Sequence, residues 1–224
     1  MLTRSDDRLI ATSEVLRGVR AETTRVSPLP WTRRVGDVEA SLDAGRILAT
    51  VAFTDIVDST GCAAQLGDRR WSELLQRHDA IVRRELADAA GEEIKTTGDG
   101  FLVAFVSPTA AVRWAGAVVG AIASLGVGVR VGIHTGECLR MNDDLIGITL
   151  HICARICALA DPGEVLVSGT VKELTTGSAL RFLDRGQRAL RGISEPWPVH
   201  SLLDHGAEVV EIRSRQVGSL AAPA

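Results

Sequence analysis

Two acids of this chain stand where a carboxylate can do chemistry. Asp55 closes the apolar run Ile47-Leu48-Ala49-Thr50-Val51-Ala52-Phe53-Thr54, and Ile56-Val57-Asp58-Ser59-Thr60 follow it. Asp99 lies between Gly98 and Gly100, after Glu93-Ile94-Lys95-Thr96-Thr97 and before Phe101-Leu102-Val103-Ala104-Phe105. An apolar run that ends on an acid holds a charge at the rim of a core. Two such acids side by side supply the oxygen donors that a hard cation such as Mg2+ takes. A pair of cations about 3.5–4 Å apart can activate a hydroxyl for in-line attack on phosphorus. Each acid also has a plain structural use. Asp55 can cap a following helix, and Asp99-Gly100 can be a hairpin turn.

The elements that would position these acids can be read from periodicity. Residues 47–54 are rich in branched side chains and predict a strand. Trp71, Leu74, Leu75, His78, Ile81, Val82 and Leu86 recur at helical spacing and predict one helix over 63–89. Residues 92–97 and 101–106 predict a hairpin about Gly98-Asp99-Gly100. Pro108 opens a helix to about 125, and 127–135 reads as a strand. A helix over 150–160 ends at Asp161-Pro162-Gly163. A strand at 165–168, a short helix at 171–175 and a strand at 181–183 follow. Residues 188–190 and 197–202 would close the sheet as a hairpin. The first six elements read β-α-β-β-α-β. The fold class expected is α+β: a ferredoxin-like βαββαβ core with a C-terminal αβ extension, its helices packed on a mostly antiparallel sheet. In such a sheet the first strand and the middle hairpin are neighbours, so Asp55 and Asp99 can meet.

Composition narrows the function classes. The chain has 224 residues, 46% hydrophobic and 24% charged, with a net charge of −3. No broad basic field draws it to nucleic acid or anionic lipid. Four Phe, four Trp and no Tyr give little aromatic surface for stacking bases. Cys62, Cys138, Cys153 and Cys157 form no CxxC pair and no zinc spacing, so they read as free thiols in a reducing cytoplasm. The N-terminus lacks the apolar core of a signal peptide. The longest uncharged stretch, from Trp114 to Val129, is too short for a membrane span, and Gly126 and Gly128 interrupt it. Residues 1–45 read as an N-terminal extension or linker, with helical spacing over 6–20 and Pro28 and Pro30 beyond it. Residues 204–224 read as a C-terminal tail. Only Lys95 and Lys172 among the 25 basic residues are lysine, so Lys95 is not a product of composition.

Four blocks together resemble the class III nucleotidyl cyclase catalytic domain over about 46–203. They are Phe53 to Thr60, Lys95 to Gly100, Val131-Gly132-Ile133-His134-Thr135-Gly136-Glu137, and Gly147 to Arg155, in the family's order. The resemblance implies an adenylyl cyclase that converts ATP to 3′,5′-cyclic AMP and pyrophosphate. It implies Asp55, Asp99 and the Ile56 carbonyl as ligands of two Mg2+ or Mn2+ ions. Lys95 would face the purine, together with Asp144 or its neighbour Asp143. His151 and Arg155 would take the positions of the family's transition-state asparagine and arginine, and Arg191 that of a triphosphate-binding lysine. His134 matches a strand end, where a packed histidine is the plainer reading. The resemblance further implies a homodimer with sites shared between chains.

The residue chemistry is consistent with ATP. Adenine presents an acceptor at N1 and a donor at its amine, which suit a lysine and a carboxylate. Guanine presents the reverse order, and a good base-reading pair discriminates by about 1–3 kcal/mol. His151 and Arg155 are four apart and share a helix face. An arginine there can set a planar charged fork on the α-phosphate. Position 151 departs from the family pattern. An imidazole is bulkier than a carboxamide and can take up a proton, so retained activity with altered pH dependence and low activity both stand. The alternatives are a guanylyl cyclase and a catalytically weak nucleotide-binding regulatory module.

Overall fold

The computed structural model describes residues 45–203. The expectations for residues 1–44 and 204–224 lie outside that range. The first strand, β1 (Arg46–Ile56), is eleven residues long. Its side chains alternate between two faces, as a strand requires. Ala52 and Ile56 enter one apolar core, while Ala49 and Val51 enter another. The same alternation divides β3 (Phe101–Phe105): Phe101, Val103 and Phe105 face the first core, Leu102 and Ala104 the second. Both faces are therefore covered.

The helix expected over 63–89 is two helices, α1 (Ser59–Leu66) and α2 (Asp68–Asp88). Gly67 separates them at φ +73°, a left-handed conformation that glycine adopts readily. Asp58 caps α1, its carboxylate accepting from the Gly61 N–H at 3.3 Å. After α2 come β2 (Glu92–Thr96) and β3, then α3 (Pro108–Ile122), capped by Ser107 with Pro108 at its start. Helix α3 lies on the first face. Trp114 is 2% exposed and its ring centroid stands 5.3 Å from that of Phe105. Each large side chain buried this fully contributes about 1.5–3 kcal/mol. Pro108–Leu125 is also the one segment among the described residues long and apolar enough to cross a membrane. Its burial against the sheet explains that apolarity.

Strand β4 (Val129–Met141) is thirteen residues long and continues beyond the expected end at 135. It turns at Asn142 and pairs with β5 (Asp144–Ile146), an arm that periodicity did not indicate. Helix α4 (Ile148–Leu159) follows and covers the second face with Leu150 and Cys153, so the helices are not confined to one face. Then come β6 (Val165–Ser168), α5 (Gly169–Leu174), β7 (Phe182–Arg188) and β8 (Trp197–Leu202). The expected separate strand at 188–190 is absent. Residues 182–188 form one strand that pairs with β8, and Leu190 is buried in a third apolar cluster instead.

The sheet order is β2-β3-β1-β4-β6-β8-β7, with β5 paired to β4. Its first four strands are the antiparallel order of the ferredoxin-like unit. The β4–β6 pair is parallel, with α4 in the crossover between them. The mostly antiparallel α+β expectation is borne out.

Candidate functional site

Three contacts bring the hairpin of β2 and β3 to the end of β1. The Ile56 N–H donates to the Asp99 carbonyl at 3.2 Å. The Phe101 N–H donates to the Thr54 hydroxyl at 2.9 Å. A Cβ on Gly100 would stand 1.9 Å from the Thr54 carbonyl oxygen, so only glycine permits this approach. Asp55 and Asp99 therefore flank one junction. Since Asp58 caps α1, that use does not explain Asp55. The Asp55 carboxylate instead meets Arg130, directly opposite it in the β1–β4 register. Arg130 donates to Oδ2 of Asp55 from Nε at 2.8 Å and from Nη2 at 2.5 Å.

The donors at this junction are two carboxylates and the carbonyl of Ile56, all oxygen, which suits a hard divalent cation. Both Arg130 contacts fall on Oδ2, so Oδ1 of Asp55 keeps its lone pairs. Among the described residues no three His, Cys, Asp or Glu side chains gather as a metal cluster. A cation here would rely on the carbonyl and on ligands from outside the chain.

A second cluster forms where β2 meets the arm of β4 and β5. The β2–β3 register slips between Glu93 and Lys95, so Ile94 is an extra residue in the strand. A bulge of this kind re-aims the side chain that follows it. Glu93 faces α2 and pairs with Arg83, donor to acceptor 2.8 Å. Ile94 packs into the second core. Lys95, which regular alternation would return to the α2 side, reaches the arm instead. Its Nζ lies 2.8 Å from each oxygen of Asp144. Asp143 is exposed in the turn with no such contact, so Lys95 and Asp144 are the pair that the fold brings together. Lys95 and the Leu145 N–H hold the Asp144 carboxyl below the usual carboxylate range. Three residues before Lys95, Glu92 meets the arm at Arg140, which donates from Nη1 at 3.0 Å and also from Nη2.

Helix α4 carries the third group. Ile152, Cys153, Ile156 and Cys157 are buried, which leaves His151 and Arg155 on the outward face. Cys153 Sγ donates to the carbonyls of Val51 and Gly132, each at 3.2 Å. Burial pushes the Cys157 thiol up to about 12. Neither thiol is a nucleophile in this setting. Arg155 donates from Nε to the Arg191 carbonyl at 3.3 Å, so Arg191 lies beside it, also exposed. His134 is 3% exposed, bonded through Nδ1 to Ser168 Oγ at 2.8 Å and set edge-on to Trp197. Its environment is that of a packed histidine. Among the described residues, no hydrogen bond or ion pair joins Asp55 or Asp99 to Lys95, Asp144, His151 or Arg155.

Residues 47–203 match the family described as the adenylate and guanylate cyclase catalytic domain. The chain belongs to that family.

The relatives agree with this cyclase assignment. A putative adenylate cyclase 3 of Rhizobium meliloti is 34% identical over 136 residues, 57% of this chain and 22% of that protein. An adenylate cyclase of Glutamicibacter nicotianae is 27% identical over 195 residues, 85% of this chain and 44% of that one. The chain thus spans less than half the length of these relatives. Among solved structures, a Trypanosoma brucei adenylate cyclase studied in its monomeric state superposes with a TM-score of 0.65. It is 26% identical, over 74% of this chain and 93% of that one. The adenylyl cyclase CyaB of P. aeruginosa shares the fold at a TM-score of 0.67, over 71% of this chain and 95% of that one.

Two cyclase-domain features escaped the sequence reading. Arg130 ends the uncharged stretch that begins at Trp114, and that isolation was the available signal. The Glu92–Arg140 pair had none, because the arm that carries Arg140 was not expected.

Proposed function

We propose that this cyclase domain, with 46–203 as its catalytic unit, converts ATP to 3′,5′-cyclic AMP and pyrophosphate. The observation that carries the choice of ATP is the Lys95–Asp144 pair. It places one donor and one carboxylate acceptor side by side on a half-exposed surface, the complement of the N1 and amine edge of adenine.

Asp55, Asp99 and the Ile56 carbonyl would hold Mg2+ or Mn2+, two ions per site. Bound there, such ions would lower the pKa of the attacking hydroxyl and neutralise phosphate charge. The 3′-oxygen forms a bond to the α-phosphorus, its proton is released, and the bond to the pyrophosphate oxygen breaks. Arg155 holds its guanidinium on the α-phosphate as charge builds there. His151, one turn earlier, hydrogen-bonds the ribose and orients its hydroxyl. Arg191 binds the triphosphate. Arg130 adds a guanidinium at the acid end of the sheet, where a polyphosphate brings negative charge.

Among the described residues no hydrogen bond or ion pair joins the acids to Lys95, Asp144, His151 or Arg155, and each group lacks what the other holds. As the resemblance to the cyclase family implies, the reading is a head-to-tail homodimer with two equivalent sites, each taking its acids from one chain and the second group from the other.

The test is the purified full chain with ATP or GTP, in Mn2+ or Mg2+, and detection of the cyclic product. Cyclic AMP from ATP is expected. Cyclic GMP formed faster from GTP would replace this reading with a guanylyl cyclase. Nucleotide binding without product would replace it with a regulatory module.

A further inference from the structure

The β4–β5 arm touches the edge strand β2 through two ion pairs, and the two are not equivalent. Lys95 and Asp144 are 46% and 48% exposed, whereas Arg140 and Glu92 are 14% and 26% exposed. A pair withdrawn from water is screened less by solvent and salt. The geometry differs as well. A lysine ammonium is a point charge on a flexible stem and follows a carboxylate through many orientations. The Arg140 guanidinium engages both oxygens of Glu92, and a two-pronged contact fixes angle as well as distance.

Arg140 is also tied into the tip of the arm. Its Nε donates to the Asn142 carbonyl at 3.3 Å, in the turn where Asn142 adopts φ +55°. Arg140 lies opposite Leu145, and the adjacent rung pairs Met141 with Asp144. A shift of Arg140 therefore passes to Asp144 through one rung of backbone. On the other side, Glu92 and Lys95 flank the β2 bulge. The apolar side chains of the tip are unevenly buried. Leu145 is fully buried, but Met141 and Ile146 are 54% and 42% exposed.

We propose that Glu92 and Arg140 are positioning residues for nucleobase selection: their ion pair anchors the arm on β2 and thereby holds Asp144 opposite Lys95. This rests on the reading that Lys95 and Asp144 face the base.

The test uses the full chain as wild type, Glu92→Gln, the charge-exchanged double variant Glu92→Arg/Arg140→Glu, and Lys95→Ala. ATP and GTP affinities are measured by displacement of a fluorescent ATP analogue, kcat with ATP is measured separately, and hydrogen exchange is followed at the amides of 139–146. Glu92→Gln should lower the ATP-over-GTP affinity ratio by about fivefold to tenfold. Its kcat should stay within about twofold, a loss of binding rather than of chemistry. Exchange of the arm amides should quicken, and the double variant should recover most of the ratio. An unchanged ratio in Glu92→Gln, with a changed ratio in Lys95→Ala, overturns the anchor alone. An unchanged ratio in both overturns the base-reading assignment and the proposal with it. Unchanged arm exchange in Glu92→Gln also overturns the anchor.

Discussion

Asp55 and Arg130 face each other across two adjacent antiparallel strands, and the guanidinium donates twice to a single carboxylate oxygen. The two side chains are 31% and 29% exposed, so the pair is partly shielded from water. Removing the arginine leaves a half-buried carboxylate without its counter-charge. Arg130→Ala is expected to lower stability by about 1–2 kcal/mol. Urea denaturation checks this through a lower midpoint at unchanged slope. A midpoint equal to that of wild type would show that water replaces the guanidinium at no cost.

The shared-site reading makes a prediction about mixtures. Asp55→Ala and Arg155→Ala remove residues from different halves of the proposed site. Each variant alone should be inactive. Randomly mixed dimers should recover about a quarter of wild-type activity, because half are mixed and each mixed dimer keeps one intact site. No recovery, with mixed dimers shown by native mass spectrometry, would place both residues in a site within one chain.

His151 stands exposed on α4, one turn before Arg155. If it orients the ribose, His151→Ala should lower kcat by about tenfold or more, with a smaller change in KM. His151→Asn keeps a donor but cannot take up a proton, so it should retain rate and alter the pH profile. Rates and profiles equal to wild type in both variants would remove His151 from the reacting centre.

His134 gives a stability test that does not depend on catalysis. Burial lowers its pKa to about 4, while an unfolded histidine titrates near 6.5. Above about pH 6.5 both states hold a neutral ring and the stability is complete. Between about 6.5 and 4 the unfolded chain binds a proton that the folded chain refuses, so stability falls as pH falls. The loss should reach about 2 kcal/mol at pH 5. Urea titrations at pH 7 and pH 5 check this, and His134→Gln should flatten the difference. An equally steep pH dependence in that variant would assign the loss to other groups.

The sequence by itself determined the elements whose pattern is local. The branched run before Asp55, the glycines around Asp99 and the proline that opens α3 each carry their instruction within a few residues, so β1, the hairpin and α3 were legible. So were the acids at the junction, because βαββαβ order makes the first strand and the middle hairpin neighbours. The break at Gly67 was hidden because every residue that carries the helical spacing, from Trp71 to Leu86, lies after the glycine, so the pattern says nothing about the turn before it.

Only the tertiary structure decided what depends on register between distant segments. Arg130 is 75 residues from Asp55, and Asp144 is 49 from Lys95. Strand alternation alone would have turned Lys95 toward α2. One extra residue in β2 turns it toward the arm, and a bulge is set by the partner strand as much as by its own sequence. The arm itself depends on β4 continuing past Leu139, its last pairing with β1, as far as Met141, and Leu145 holds it by reaching a core built from β1, β3 and α4. Residue types carried the chemistry of this cyclase domain; which lysine met which aspartate was decided by the packing of strands far apart in the chain.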